Sequence, residues 1–214
     1  MNSNQILENL IRRYPNLTVV SRDVEAALHI LVESLSTGGK VLICGNGGSA
    51  ADAEHIVGEL MKSFVARRPL HDKLKKSLID TSKELGLKLA DSLQGTIPAV
   101  SLVHSVALNS AFSNDVDPQM VFAQQVLGYG SPTDILWGIS TSGNAVNVTY
   151  AAITAKAKGM KVIGMTGSDG GMLKQYCDVC IKVPEKETYL VQELHLPIYH
   201  AICMMLEHTF WPSI

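Results

Sequence analysis

The feature that most constrains this chain is a change of rhythm near residue 40. From there, short apolar runs alternate with longer amphipathic stretches. The runs lie at 41–44 (VLIC), 99–103 (AVSLV), 135–139 (ILWGI), 161–165 (KVIGM) and 179–183 (VCIKV). Four of the five are rich in β-branched residues and carry few charges, as parallel strands covered on both faces do. Helical stretches fit between them at 50–65 and 145–158, and again after 188. This alternation predicts a doubly wound α/β sheet. Two helices are predicted ahead of it. One covers 3–13, with Ile6, Leu7, Leu10 and Ile11 on one face. The other covers 22–36, follows a candidate N-cap at Ser21 and stops at Gly38-Gly39.

The segment 70–93 interrupts the alternation. Leu74, Leu78, Leu85, Leu89 and Leu93 recur at helical spacing among mixed charges. That predicts one or two inserted amphipathic helices, with Gly86 as a weak point. A length of 214 residues suits a single domain over residues 1–214 that carries this insertion.

Composition excludes several classes. With 46% hydrophobic and 18% charged residues, a sizeable core is available and disorder along the whole chain is excluded. Eighteen Lys+Arg face twenty Asp+Glu, so no basic excess draws the chain to nucleic acid. No apolar run reaches the ~18 residues of a membrane span. The N-terminus carries Glu8, Arg12 and Arg13 where a signal peptide needs an apolar stretch. The expectation is a soluble cytoplasmic protein with no nucleic-acid or membrane partner. Of four cysteines, Cys177 and Cys180 have the one suggestive spacing. Read as part of a strand, that odd spacing sends the two sulfurs to opposite faces, and ordinary buried thiols are expected.

Two loops have the composition of phosphate cradles. Gly45-Asn46-Gly47-Gly48-Ser49 follows the first predicted strand and precedes a helix. Ser140-Thr141-Ser142-Gly143-Asn144 does the same after the third. Glycines let backbone N–H groups turn to a ligand, hydroxyls donate to it, and a helix N-terminus favours an anion. Both loops fall at the carboxyl ends of strands, where open α/β sheets bind ligands. Gly45, Gly47 and Ala50 also satisfy the dinucleotide pattern G-x-G-x-x-A. The acidic residue that pattern needs about 20 positions on is missing, and Arg67-Arg68 lie there instead.

His55 and Glu59 are four residues apart, on one face of the helix that follows the first loop. An imidazole and a carboxylate at that spacing suit either a divalent metal or acid–base work. The last helix carries Gln192, Glu193, His195, Tyr199 and His200 in an apolar setting, and polar groups there need partners or a cavity. Gln192 and His200 are eight residues, about 12 Å of helix, apart. They serve one ion only if Pro197 bends the helix or if two subunits share the site.

GNGGSAADAEHIVGEL, ISTSGN, MTGSDGG and VQELH with His200 beyond it resemble the sugar isomerase (SIS) domain family, over nearly the whole chain. Within it they are most similar to the isomerases of sedoheptulose 7-phosphate. The resemblance implies a Rossmann-like five-stranded parallel sheet flanked by helices, in a homotetramer with active sites between subunits. It implies an aldose–ketose isomerase acting on a phosphorylated sugar through an enediol, with Glu59 as base and His200 as acid. Ser49, Ser140, Thr141 and Ser142 would bind phosphate. Asn46, Gly47, Gly48, Asn114, Asp115, Asn144 and Gln192 would contact the rest of the sugar. Some members bind zinc, one per subunit, through residues matching His55, Glu59, Gln192 and His200. Non-catalytic relatives that bind phosphosugars or a replication initiator keep the loops but not the full acid–base set. Ala145, Tyr189 and Val116-Asp117-Pro118 depart from the family pattern, which has serine, an acidic residue and a nearby glycine at those places.

Overall fold

The computed structural model describes residues 2–212. The five apolar runs become β1 (Val41–Cys44), β2 (Ala99–Ser101), β3 (Ile135–Ile139), β4 (Lys161–Thr166) and β5 (Val179–Lys182). All pair in parallel, in the order β2-β1-β3-β4-β5. Alternate residues feed two cores, as the period of two requires. Val41, Ile43, Ile135, Trp137, Ile163 and Met165 point into one cluster. Leu42, Cys44, Leu136 and Val162 point into the other. Helices α1 (Ser3–Arg13), α2 (Ser21–Ser36), α3 (Gly48–Met61) and α9 (Thr188–Phe210) cover the first face. The second is covered by α7 (Val121–Tyr129) and α8 (Val146–Ala157).

The order places a topological switch at β1. The chain leaves β1 for β2 on one side, then crosses back to β3 on the other. Cys44 pairs with Gly138, so the loops that follow β1 and β3 open side by side. Such a crevice is where open α/β sheets hold ligands. No helix of the described residues is long and apolar enough to cross a membrane.

Several details differ from the sequence reading. Residues 70–93 do form two helices, α4 (Asp72–Thr81) and α5 (Lys83–Ser92), but the break falls at Ser82. Gly86 is buried inside α5, where a Cβ would run into the Leu78 carbonyl of α4. It is the crossing point of the hairpin, and its missing side chain is what lets the helices touch. Ser21 is the first residue of α2 and caps nothing there; its hydroxyl donates to the Thr18 carbonyl. The helix expected over 50–65 runs from Gly48 and stops at Met61; beyond it the Ser63 N–H is taken by the Gln94 side chain and those of 64–66 by a side chain described below. α6 (Val106–Asp115) and α7 had no clear periodic signal. Cys177 precedes β5 as the C-cap of a 3₁₀ turn, Leu173–Tyr176, so strand alternation does not apply to it. Its sulfur and that of Cys180 both lie over Gly164, on the same face of the sheet.

Candidate active site

The two loops meet in one cavity of about 330 Å³. Asn46, Gly47, Gly48 and Ser49 line it from the first loop, Ser140, Thr141 and Ser142 from the second. Gly47 is the N-cap of α3, at φ +56°, and no side chain caps that helix. Ala145 is the N-cap of α8 and also supplies no side-chain bond. Two helices therefore begin at one cavity, which suits a phosphate; no side chain caps α3, while in the first turn of α8 the Val148 N–H donates to Asn147 Oδ1 at 3.0 Å. The serine expected at position 145 would have filled one of those places. Asn46 and Asn147 exchange two amide hydrogen bonds, 2.8 and 2.9 Å, and so tie the first loop to α8. Thr188 and Gln192 of α9 complete the lining. Gln192 packs directly over Gly48, within the space a Cβ would need.

The remaining residues named from sequence are placed differently. Asn144 lies outside the lining. Its carboxamide bonds the Ser142 carbonyl and accepts from the Met172 N–H, which fixes the loop against residues 170–172. Asn114 and Asp115 sit at the exposed end of α6, bonded to each other at 2.8 Å. They too are outside this cavity.

A second group of polar side chains lies further along α3. His55 Nε2 is 3.2 Å from Glu59 Oε1. The His55 and His200 rings meet edge to face, their centroids 5.0 Å apart. α3 and α9 thus run alongside one another, with Gln192 beside Gly48 and His200 beside His55. Glu59 Oε2 and His200 Nε2 are buried and make no hydrogen bond. Lys62 Nζ, 3.5 Å from Glu59 Oε2, supplies a nearby positive charge only. Burial, and then His55, holds the His200 imidazole below its ordinary value. Two unpaired buried polar atoms in one group are costly unless a ligand satisfies them.

The group is held by a network with little sequence signal. Arg68 is 1% exposed. Its guanidinium donates to the carbonyls of Glu59 and Leu60, at 2.9 and 2.7 Å, and to Glu207 Oε1 at 2.6 Å. Glu207 also accepts from the N–H groups of Phe64, Val65 and Ala66. Burial alone would raise the Glu207 carboxyl, but those three N–H groups and Arg68 hold it below its usual range. The end of α3 is thereby locked to α9 two turns beyond His200, and the Phe64 ring lies 5.4 Å from the His200 ring. Arg68 is spent inside the protein and is no ligand for a nucleotide phosphate. Glu207 could have been suspected from sequence only as an acid in an otherwise apolar helix.

The cavity and the His55–Glu59–His200 group both lie along α3 and α9 of an open parallel α/β sheet, in a crevice of the kind that suits an anionic ligand. The model of the SIS domain matches residues 11–85 and 90–167, and the chain belongs to that family. The relatives narrow this further. The chain is 42% identical to a phosphoheptose isomerase of Crocosphaera subtropica, over 87% of this chain and 82% of that one. It is 35% identical to one of Maridesulfovibrio salexigens, over 98% and 87%. Among solved structures, phosphoheptose isomerase from Francisella tularensis superposes with a TM-score of 0.75 at 29% identity, covering 96% of each chain. The enzyme from Neisseria gonorrhoeae gives 0.70 at 31%, covering 92% of this chain and 93% of that one.

Proposed function

We propose that this protein is an aldose–ketose isomerase that converts sedoheptulose 7-phosphate to D-glycero-D-manno-heptose 7-phosphate. The observation that carries the reading is the gathering of Glu59 and His200 around His55, each with a buried atom unpaired, in a fold that also builds an anion cavity.

The ketose carries its phosphate at one end and its reacting carbons at the other. Ser49, Ser140, Thr141 and Ser142 hold the phosphate together with the two helix N-termini. This supplies binding energy remote from the chemistry. Glu59 takes a proton from C1. The electron pair forms the C1–C2 double bond of an enediol, and the C2 oxygen takes a proton from His200. In the second half His200 removes the proton from the C1 oxygen, and Glu59 returns its proton to C2. One carboxylate and one imidazole serve both halves, and no net proton is consumed.

The two ends of this site are far apart within one chain. Glu59 lies eleven residues beyond Gly48 on α3, about 16 Å of helix rise. That exceeds the reach of a seven-carbon phosphosugar from its phosphate to C1. We read the working site as shared, with cavity and acid–base group from neighbouring subunits of a homotetramer. The exposed Leu85, Val106 and Leu127 offer apolar surface for such assembly. The same sharing answers the Gln192–His200 separation. Within one chain no three His, Cys, Asp or Glu side chains of the described residues form a metal cage. Glu59 and His200 nevertheless fit one side of a zinc site, because their unpaired buried atoms are cation ligands by chemistry, and His55 Nε2, 3.2 Å from Glu59 Oε1, would join them. Gln192 of a neighbouring subunit would complete it. Zinc there, one per subunit, would stabilise negative charge on the enediolate oxygen. Four free cysteines fit a reducing compartment, the cytoplasm.

The test is proton NMR of sedoheptulose 7-phosphate with the protein in deuterated water, with and without zinc. The expected product is heptose 7-phosphate carrying deuterium at C2. Glu59→Gln should lower turnover by roughly 10²–10⁴-fold while the phosphosugar still binds. Normal turnover by that variant would overturn the mechanism. A wild-type protein that binds but neither exchanges nor converts would overturn the reaction.

A further inference from the structure

Behind His55 lies a hydrogen-bonded chain that no step above uses. Tyr199 is fully buried on α9. Its hydroxyl is 3.2 Å from Asp52 Oδ1 and 3.0 Å from His55 Nδ1. Asp52 and His55 lie one turn apart on α3, so a single phenol from α9 bridges both. The directions of these bonds follow from what each group can give. An ionised carboxylate only accepts, so the one phenolic proton points at Asp52. The phenolic oxygen then accepts, and His55 Nδ1 must be the donor. The far side of the ring is therefore decided as well. Nε2 is turned to Glu59 Oε1, 3.2 Å away, an acceptor that calls for either the second proton of an imidazolium or a cation between the two.

We propose that Tyr199, anchored by Asp52, is a positioning residue that keeps the proton of His55 on Nδ1 and so reserves Nε2 for exchange between a proton and a cation opposite Glu59. Metal-binding imidazoles are commonly fixed through the ring nitrogen that does not bind. Here the fixing group is a tyrosine from another helix. The ring also packs edge to face against His55 and His200, at 5.5 and 5.0 Å. The hydroxyl thus orients a ring that its own aromatic face already touches. The role rests on the proposed function, in which His55 and Glu59 face a cation while Glu59 and His200 move the protons.

Two near-isosteric variants separate orientation from packing. Tyr199→Phe keeps the ring and loses only the oxygen. Asp52→Asn keeps the shape but allows the amide to donate, freeing the phenolic proton to turn toward His55. Nitrogen-15 NMR of histidine-labelled, metal-free protein should find Nδ1 of His55 protonated in the wild type. In both variants Nδ1 should lose its proton and only Nε2, facing Glu59, should keep one. Zinc titrated into metal-free protein should bind roughly 10–100-fold more weakly to each. A bare Nδ1 in the wild type would overturn the proposal. So would two folded variants that keep the wild-type proton position and zinc affinity. The NMR needs neither substrate nor turnover. A wrong reading of the reaction would appear in the deuterium experiment and leave this one intact.

Discussion

Gly48 shows how little room a single residue has at this site. A Cβ there would lie 2.9 Å from Gln192 Cδ, and closer still to its Nε2. Gly48→Ala therefore turns Gln192 out of the cavity without touching the sheet. The loss of about one hydrogen bond, ~1 kcal/mol, should raise KM for the phosphosugar roughly fivefold. Steady-state kinetics beside a urea melt checks this: the melt should not move. Gly48, Ser49, Ser140–Ser142, His55 and Glu59 were legible because their signals are local, a loop composition or a four-residue spacing. Tyr199 and Arg68 were not. Their carboxylate partners, Asp52 and Glu207, lie more than a hundred residues away in sequence, and only the packing of α3 on α9 brings them together. The one trace was the run of polar residues in an apolar last helix. It says that partners exist, without saying which.

Between elements, α3 and α9 act as a unit because the Arg68–Glu207 pair joins them. Each ion is nearly inaccessible to water, and each is satisfied by the other and by backbone groups. A buried pair of this kind adds modest stability over apolar packing, but removing one partner leaves an uncompensated charge. Glu207→Gln keeps the shape and removes the charge. It should cost about 3 kcal/mol in urea unfolding. kcat should also fall, since the Glu59 carbonyl and Phe64 are held by the same pair. Wild-type stability in this variant would show that the pair is only filler. The strands were legible to within two residues because parallel strands buried on both faces leave uninterrupted apolar runs. α6 and α7 were missed for the converse reason. α6 buries no residue fully, so it needs no apolar stripe. α7 is apolar over most of its nine residues, too short and uniform for a period to show.

At the scale of the whole molecule, the two-sided core that makes the fold legible also sets its response to acid. His195 lies in the centre of α9 with no exposed surface. It sits against the Thr166 backbone, and neither ring nitrogen makes a hydrogen bond of good geometry. Burial holds its imidazole down to about 4, against an ordinary 6.5. Above 6.5 the ring is neutral in both folded and unfolded chains, and pH does not act through it. Between 6.5 and 4 the unfolded chain takes up a proton that the native one refuses, so stability falls as pH falls. The full span is worth about 3 kcal/mol. His200, lowered for the same reason, adds to the loss in the same direction. The carboxyls of Glu207 and Asp178, held below their usual range, contribute at more acid pH still. His195→Leu removes the titrating group at similar volume and sacrifices no hydrogen bond. Its urea midpoint should fall less between pH 6.5 and 4 than that of the wild type. An unchanged slope would mean that the acid sensitivity resides in the site, with His200, and not in the core.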